Sequence, residues 1–260
     1  MADDKIETVR VVTRGYELSA EGTIPVATFL RYLEHTRWST IARSEKLPLR
    51  QFFAMGVVRA QTLELERDVS FDVALDITMW LSRVGKTSMD YSHDIVRVKD
   101  GARVGRSTAT VVAIDTNRRP APISDEARNY LTERETLSKV DLSRPAPASA
   151  WERTVELRPS DQDLQQHVNH ARYADLVDDT RWLCAQAGGY GRGSEGIGGA
   201  VRRFSIVYER EARVGDTIRA LTWRHEELSG VADFALVKQG DELVTRARLE
   251  FAPYGAPRHG

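Results

Sequence analysis

The stretch DQDLQQHVNHARYADLVDD, Asp161 to Asp179, sets a carboxylate (Asp163), two amides (Gln165 and Asn169) and two imidazoles (His167 and His170) directly ahead of a helix-like pattern. Helix starts favour Asn and Asp as caps, which accounts for one of these side chains. The remaining carboxylate and imidazoles are acid–base groups that titrate or accept protons near neutrality. The first backbone N–H groups of a helix lack intrahelical partners, so those of Asn169 to Arg172 are expected to stabilise negative charge developing nearby. His167 and His170 lie three apart, but this is not the His-Glu-x-x-His pattern and no third ligand is evident, so no metal is expected. Each residue also has a plain structural role: Asn169 as a helix cap, Asp163 as a turn residue, His170 as a surface histidine of the first turn.

Two long helices and two groups of strands must position these groups. Val26, Phe29, Leu30 and Leu33 form one apolar helical stripe, and Tyr173, Leu176, Val177, Cys184 and Ala187 form another. Cys184 therefore reads as core, not nucleophile. After the first helix come VVRAQTLELERDV, LDITMWLSRV, SMDYSHDIVRV and STATVVAID; after the second come VRRFSIVYERE, DTIRALTWRHE, VADFALVKQ and LVTRARLEFA. Phe204, Ile206 and Tyr208 alternate with polar neighbours, as a sheet with one buried face requires. The connections are too short for helical crossovers, so the sheets are expected to be antiparallel.

The two halves share this order, and TRW recurs at Thr36–Trp38 and Thr180–Trp182, an offset of 144 that also aligns Arg14 with Arg158. A duplication follows, with domains at 1–135 and 151–260 and a linker at 136–150 carrying Pro145 and Pro147. One long helix wrapped by an antiparallel sheet, twice over, is an α+β tandem double hotdog. The glycine-rich run Gly188 to Ala200 follows a helix instead of linking a strand to one, so it reads as a flexible connection and not a phosphate loop.

The chain has 260 residues, a formal net charge of -1, 41% hydrophobic residues and one cysteine. That composition is ordinary for a water-soluble globular protein and gives no global attraction to nucleic acid. One cysteine excludes an intrachain disulfide and a cysteine-cluster metal site. The start MADDKIETVR is no secretory signal and no apolar run approaches a membrane span, so the expectation is a cytoplasmic protein.

The run DLQQHVNHARY resembles the Asp-x-Asn-x-His-Val-Asn-Asn-x-x-Tyr stretch of acyl-acyl carrier protein (acyl-ACP) thioesterases. STATVVAIDTNRRPAPISDEARNYL, Ser107 to Leu131, resembles the segment closing that family's first hotdog, and YEREA, Tyr208 to Ala212, is similar to a family strand in which Glu precedes Cys. The three lie in family order, so the resemblance covers nearly the whole chain. It implies Asp163, His167 and Glu211 as catalytic groups, with Gln165 in place of the family's Asn and Asn169 matching the Asn after His-Val. Ala212 stands where plant members have Cys, which leaves no cysteine nucleophile there.

The implied reaction is hydrolysis of a fatty acyl thioester by general-base activation of water, without a cofactor. The carrier is acyl carrier protein or coenzyme A; a non-catalytic acyl-thioester-binding protein is the alternative from another class, and homodimerisation stays open. The resemblance further implies that the acyl chain enters the first half, where Phe29, Tyr32 and Met79 are candidates for setting its length. Arg202 and Arg203 are candidates to meet a phosphopantetheine phosphate. At the offset of 144, Ser19 aligns with Asp163 and Thr23 with His167, and matching Asp76 to Asp216 sets Phe71 opposite Glu211. On that alignment the first half lacks all three groups and the chain carries one site.

Overall fold

The computed structural model describes residues 6–43, 56–163, 166–191, 194 and 196–252. The chain divides into two compact units between Ser138 and Lys139. The first holds β1 (Ile6–Val12), α1 (Val26–Arg43), β2 (Gly56–Leu65), β3 (Ala74–Val84), β4 (Ser88–Arg97) and β5 (Arg103–Ala113). The second holds β6 (Trp151–Glu156), α2 (Arg172–Gln186), β7 (Val201–Tyr208), β8 (Thr217–Arg224), β9 (Val231–Lys238) and β10 (Glu242–Phe251). Within the first unit the strands run β1-β3-β4-β5-β2, and within the second β6-β8-β9-β10-β7, every pair antiparallel. The order is the same in both.

Each sheet buries one face by the period-2 alternation of its strands. In β3, Leu75, Ile77, Met79 and Leu81 are buried, and the register sets Ile77 against Ile95 and Met79 against His93. In the second unit Phe204, Ile206, Ala220, Phe234, Leu236, Ala247 and Leu249 do the same. The helices supply the covering stripe: Phe29, Leu30 and Leu33 of α1, which lies against β1 and β3, and Tyr173, Leu176, Val177 and Cys184 of α2, which lies against β6 and β8. Fully burying each large side chain contributes about 1.5–3 kcal/mol. The stripe of α2 stops at Cys184: Ala187 caps the helix and is exposed, while Thr180 and Arg181 are buried in its stead. Burial pushes the Cys184 thiol up to about 11, consistent with a packing role.

The expectation of one buried face is too simple for the central strands. Asp90, Ser92 and Thr110 on the opposite face of the first sheet are buried too, with Asp90 held by Arg83 at 2.6 Å and by the Thr110 hydroxyl at 2.7 Å. In the second sheet Asp233 and Arg248 form a buried pair at 2.7 Å. The proline-containing stretch after β5 contributes to this covering: the Leu137 N–H donates to Thr108 Oγ1 at 3.2 Å, Arg134 sits 5.3 Å over the Trp80 ring, and Leu137 and Leu142 are buried. Irregular backbone here is anchored at Leu137 and Leu142, while most of the residues around them are exposed.

Candidate active site

The loop between β6 and α2 is a turn closed by its own main chain. The Asp163 N–H donates to the His167 carbonyl at 2.8 Å, and the Gln166 N–H to the Asp163 carbonyl at 3.0 Å, with Gln166 in the left-handed region at φ 61°. The Val168 N–H then donates to the Ala212 carbonyl at 3.0 Å. That bond joins the residues following His167 and Glu211, so two side chains distant in sequence converge. His167 Nε2 lies 3.0 Å from Glu211 Oε2; the imidazole side chain is 8% exposed and the carboxylate 42%. A buried imidazole thus stands behind a solvent-accessible carboxylate.

Arg213 completes the group. Its Nη2 is 3.1 Å from the same Nε2 of His167 and 4.0 Å from Glu211 Oε2. Its backbone is fixed by a turn in which the Arg213 N–H donates to Asp216 Oδ2 at 2.9 Å and the Asp216 N–H to the Arg213 carbonyl at 3.0 Å. The Ala212 N–H donates to the Tyr173 hydroxyl at 3.2 Å, and burial raises the Tyr173 phenol well above its ordinary pKa, keeping it neutral. Tyr173 packs edge-on against Tyr208 at 5.6 Å, and the Tyr208 hydroxyl donates to the His170 carbonyl at 2.9 Å. The loop rests on an aromatic base.

Asn169 is a turn former: its Oδ1 accepts the Ala171 N–H at 2.9 Å and its carbonyl the Arg172 N–H at 2.9 Å, while its own N–H donates to the Asp161 carbonyl at 2.9 Å. Three of the N–H groups expected to be unpaired at the helix start are therefore already satisfied, because Asn169 and Asp161 fold the preceding turn onto them. His170 also differs from expectation: it is half-buried, with its ring edge-on to Tyr208 at 6.3 Å. Asp161, buried at 4% exposure, pairs with Arg172 at 2.9 Å and so fixes the loop to α2.

Of the sequence-derived candidates, Asp163 is exposed on this loop, Asn169 half-buried and His167 buried; Gln165 lies outside the described residues. Glu211 joins them from the segment after β7. Phe29 and Tyr32 on α1 and Met79 on β3 are buried in the first unit, with the Tyr32 hydroxyl donating to Glu17 Oε2 at 2.5 Å. Arg202 and Arg203 lie half-buried on β7. Arg213 was not singled out from sequence, where it reads as a solvated neighbour of Glu211. Among the described residues no group of three or more His, Cys, Asp or Glu is arranged to hold a metal, and no helix is long and apolar enough to cross a membrane.

The first unit contains the same turn without the chemistry. The Ser19 N–H donates to the Thr23 carbonyl at 2.8 Å, the Gly22 N–H to the Ser19 carbonyl at 3.0 Å, and the Ile24 N–H to the Val69 carbonyl at 2.8 Å, with Gly22 at φ 76°. Ser19 and Thr23 thus stand where Asp163 and His167 do. Val69 corresponds to Ala212, which makes Asp68, not Phe71, the counterpart of Glu211. The alignment from sequence is anchored on Asp76 and Asp216, but Asp76 lies inside β3 whereas Asp216 precedes β8, so that anchor displaces it. Arg14 and Arg158 likewise open matching 3-10 turns, each N–H donating at 2.8 Å to the carboxylate three residues on. Thr36 and Thr180 each bond the carbonyl four residues back.

Sequence profiles of the thioesterase-like superfamily and the thioesterase superfamily match residues 16–131 and 165–226. The chain is 25% identical over 212 residues to a chloroplastic dodecanoyl-[acyl-carrier-protein] hydrolase of Umbellularia californica, covering 76% of this chain and 53% of that one. It is 23% identical over 210 residues to the enzyme of the same name from Cinnamomum camphora, covering 76% and 52%. The chain spans about half the length of these two relatives. Among solved structures, a 12:0-ACP thioesterase from Umbellularia californica superposes with a TM-score of 0.79 at 20% identity, covering 96% of this chain and 94% of that one. An acyl-ACP thioesterase from Bacteroides thetaiotaomicron superposes at 0.75 with 19% identity, covering 97% and 100%. The two superfamily profiles together match more than half of the residues, so the chain belongs to the thioesterase superfamily, and the solved structures it superposes on share its fold of two hotdog repeats.

Proposed function

We propose that the chain hydrolyses the thioester of acyl-ACP, releasing a fatty acid and the carrier thiol, with Glu211 and His167 activating the water. The observation that carries this reading is the 3.0 Å contact between the accessible Glu211 carboxylate and the buried His167 imidazole, in a turn whose first-half copy has Thr23 in place of the histidine. Water hydrogen-bonds to Glu211 and attacks the carbonyl carbon, its proton passes to the Glu211–His167 pair, and the C–S bond breaks as the same proton returns to the leaving thiolate. A positioned base of this kind is worth about 10²–10⁴-fold. Asp163, Gln165 and Asn169 hold the reacting groups; with Oδ1 given to the Ala171 N–H, the amide of Asn169 serves substrate as a donor. Satisfaction of the Asn169, Ala171 and Arg172 N–H groups makes side-chain donors, not the helix start, the main support for the oxyanion.

In this reading the long helix of each half is the hotdog's central helix, with domains at 1–135 and 151–260 joined by 136–150. The first half receives the acyl chain against Phe29, Tyr32 and Met79. Arg202 and Arg203 meet the carrier's phosphate. The test is thiol release by the purified protein from acyl-ACP and acyl-CoA across chain lengths. Turnover is expected on acyl-ACP; hydrolysis confined to acyl-CoA reassigns the carrier, and tight acyl binding without hydrolysis on either removes the enzyme reading.

A further inference from the structure

We propose that Arg213 is a positioning residue that holds His167 neutral, with its proton on Nδ1 and its Nε2 unprotonated, and thereby sets the acidic limb of the enzyme's pH dependence. This rests on the reading of His167 and Glu211 as the water-activating pair. One atom carries the argument. His167 Nε2 lies 3.0 Å from the Glu211 carboxylate and 3.1 Å from the Arg213 guanidinium. A guanidinium only donates and an ionised carboxylate only accepts, so the two contacts require opposite states of the same nitrogen. Bonded to Arg213, Nε2 is the lone-pair atom and the ring is neutral with Nδ1 protonated. Once Nε2 gains a proton it donates to Glu211, and Arg213 is left with its ion pair to Glu211 at 4.0 Å.

The two partners pull in opposite directions. Arg213 disfavours the imidazolium by like charge and by losing its acceptor; Glu211 favours it. Other ionisable groups also stand around the pair. Lys238 of β9 pairs with Glu242 at 3.1 Å while its Nζ donates to the Glu211 carbonyl at 3.3 Å. Arg210 is paired to Glu242 at 2.9 Å, Asp216 is bound to the Arg213 N–H, and Tyr173 of α2 is neutral. Asp163 and His170 lie on the histidine's own loop, and Tyr208 of β7 bonds the His170 carbonyl. Arg213 is 63% exposed on its side chain, so the turn with Asp216 and the contact to His167 are what fix it, not burial in a core. At the corresponding place in the first unit, one residue after Val69, stands Ser70, beside a turn with no histidine.

The experiment is a ¹⁵N-resolved NMR titration of His167 in the intact protein and in Arg213→Ala and Arg213→Lys, beside kcat/KM–pH profiles on the same proteins. In the native protein the neutral ring is expected as the Nδ1–H tautomer. Arg213→Ala is expected to raise the His167 pKa, making the ring about tenfold harder to keep neutral on the acidic side, and to carry the acidic limb of kcat/KM to higher pH by the same amount. Arg213→Lys, which keeps the charge, is expected to restore most of that shift. Folding is checked by thermal unfolding. An Nε2–H tautomer in the native protein, or an unmoved His167 titration in folded Arg213→Ala, overturns the proposal. The titration needs no substrate, so a protein that hydrolyses nothing refutes the proposed function while the titration still decides the role of Arg213.

Discussion

At the scale of single residues, chemistry follows from which member of the His167–Glu211 pair meets solvent. Glu211 is the accessible one, so Glu211→Gln keeps shape while removing the accepting charge; it is expected to lower kcat by about 10²–10⁴-fold, in the range of a lost general base. His167→Ala is expected to lower kcat by at least about 10²-fold, with thermal unfolding checked against native protein. Asp163→Asn, on the exposed side of the turn, is expected to impair turnover by a smaller factor. Near-native kcat in folded Glu211→Gln and His167→Ala would remove the pair from the reaction. The sequence set Asp163, His167 and Asn169 on one loop by adjacency alone. That Glu211 stands beside His167 was reachable only through family resemblance, because the tie is the main-chain bond from Val168 to Ala212, which leaves no trace in spacing. Arg213 was invisible for the same reason: its aim depends on the turn it makes with Asp216.

At the scale of elements, hydrophobic alternation located the eight strands that follow the helices, and the two helical stripes located α1 and α2. The pattern missed what covers the outer sheet faces, since buried polar residues such as Asp90 and Asp233 read as solvent-facing until Arg83 and Arg248 are seen beside them. His93 of β4 is the sharpest such case. It is 2% exposed, and among the described residues neither ring nitrogen has a hydrogen-bond partner. Burial first, and the nearby Arg37 cation second, bring its pKa from 6.5 down to about 3. The unfolded chain protonates this ring below about 6.5 while the folded one does not, so stability is full above that pH and is lost progressively as pH falls towards 3. The cost reaches about 2 kcal/mol at pH 5. His93→Leu is expected to shrink the drop in Tm between pH 7 and pH 5, and equal drops in the two proteins would show that His93 contributes no acid sensitivity.

At the scale of the whole molecule, the two units repeat strand order, opening 3-10 turn, helix-entry turn and buried helix threonine, so duplication is a statement about backbone as much as sequence. The residues proposed to do the chemistry are not all repeated in the first copy. In the first unit Thr23 replaces the imidazole and Ser19 the loop carboxylate, yet a carboxylate remains at the third place: Asp68, one residue before the carbonyl that holds the turn, as Glu211 is in the second. Asp68 is half-buried and its side chain is a methylene shorter than glutamate. Thr23 stands where the imidazole does in the second unit, so the pair proposed to activate water is not repeated there. Ser19→Ala, Thr23→Ala and Asp68→Asn are therefore each expected to leave kcat within about threefold, as substitutions outside the working site generally do. Titration with a non-hydrolysable acyl thioester is expected to give one binding event per chain. Two equal and independent events, or a loss of kcat beyond about tenfold in a folded Asp68→Asn protein, would show that the first repeat kept a working share of the reaction, and that the carboxylate left in its turn serves catalysis.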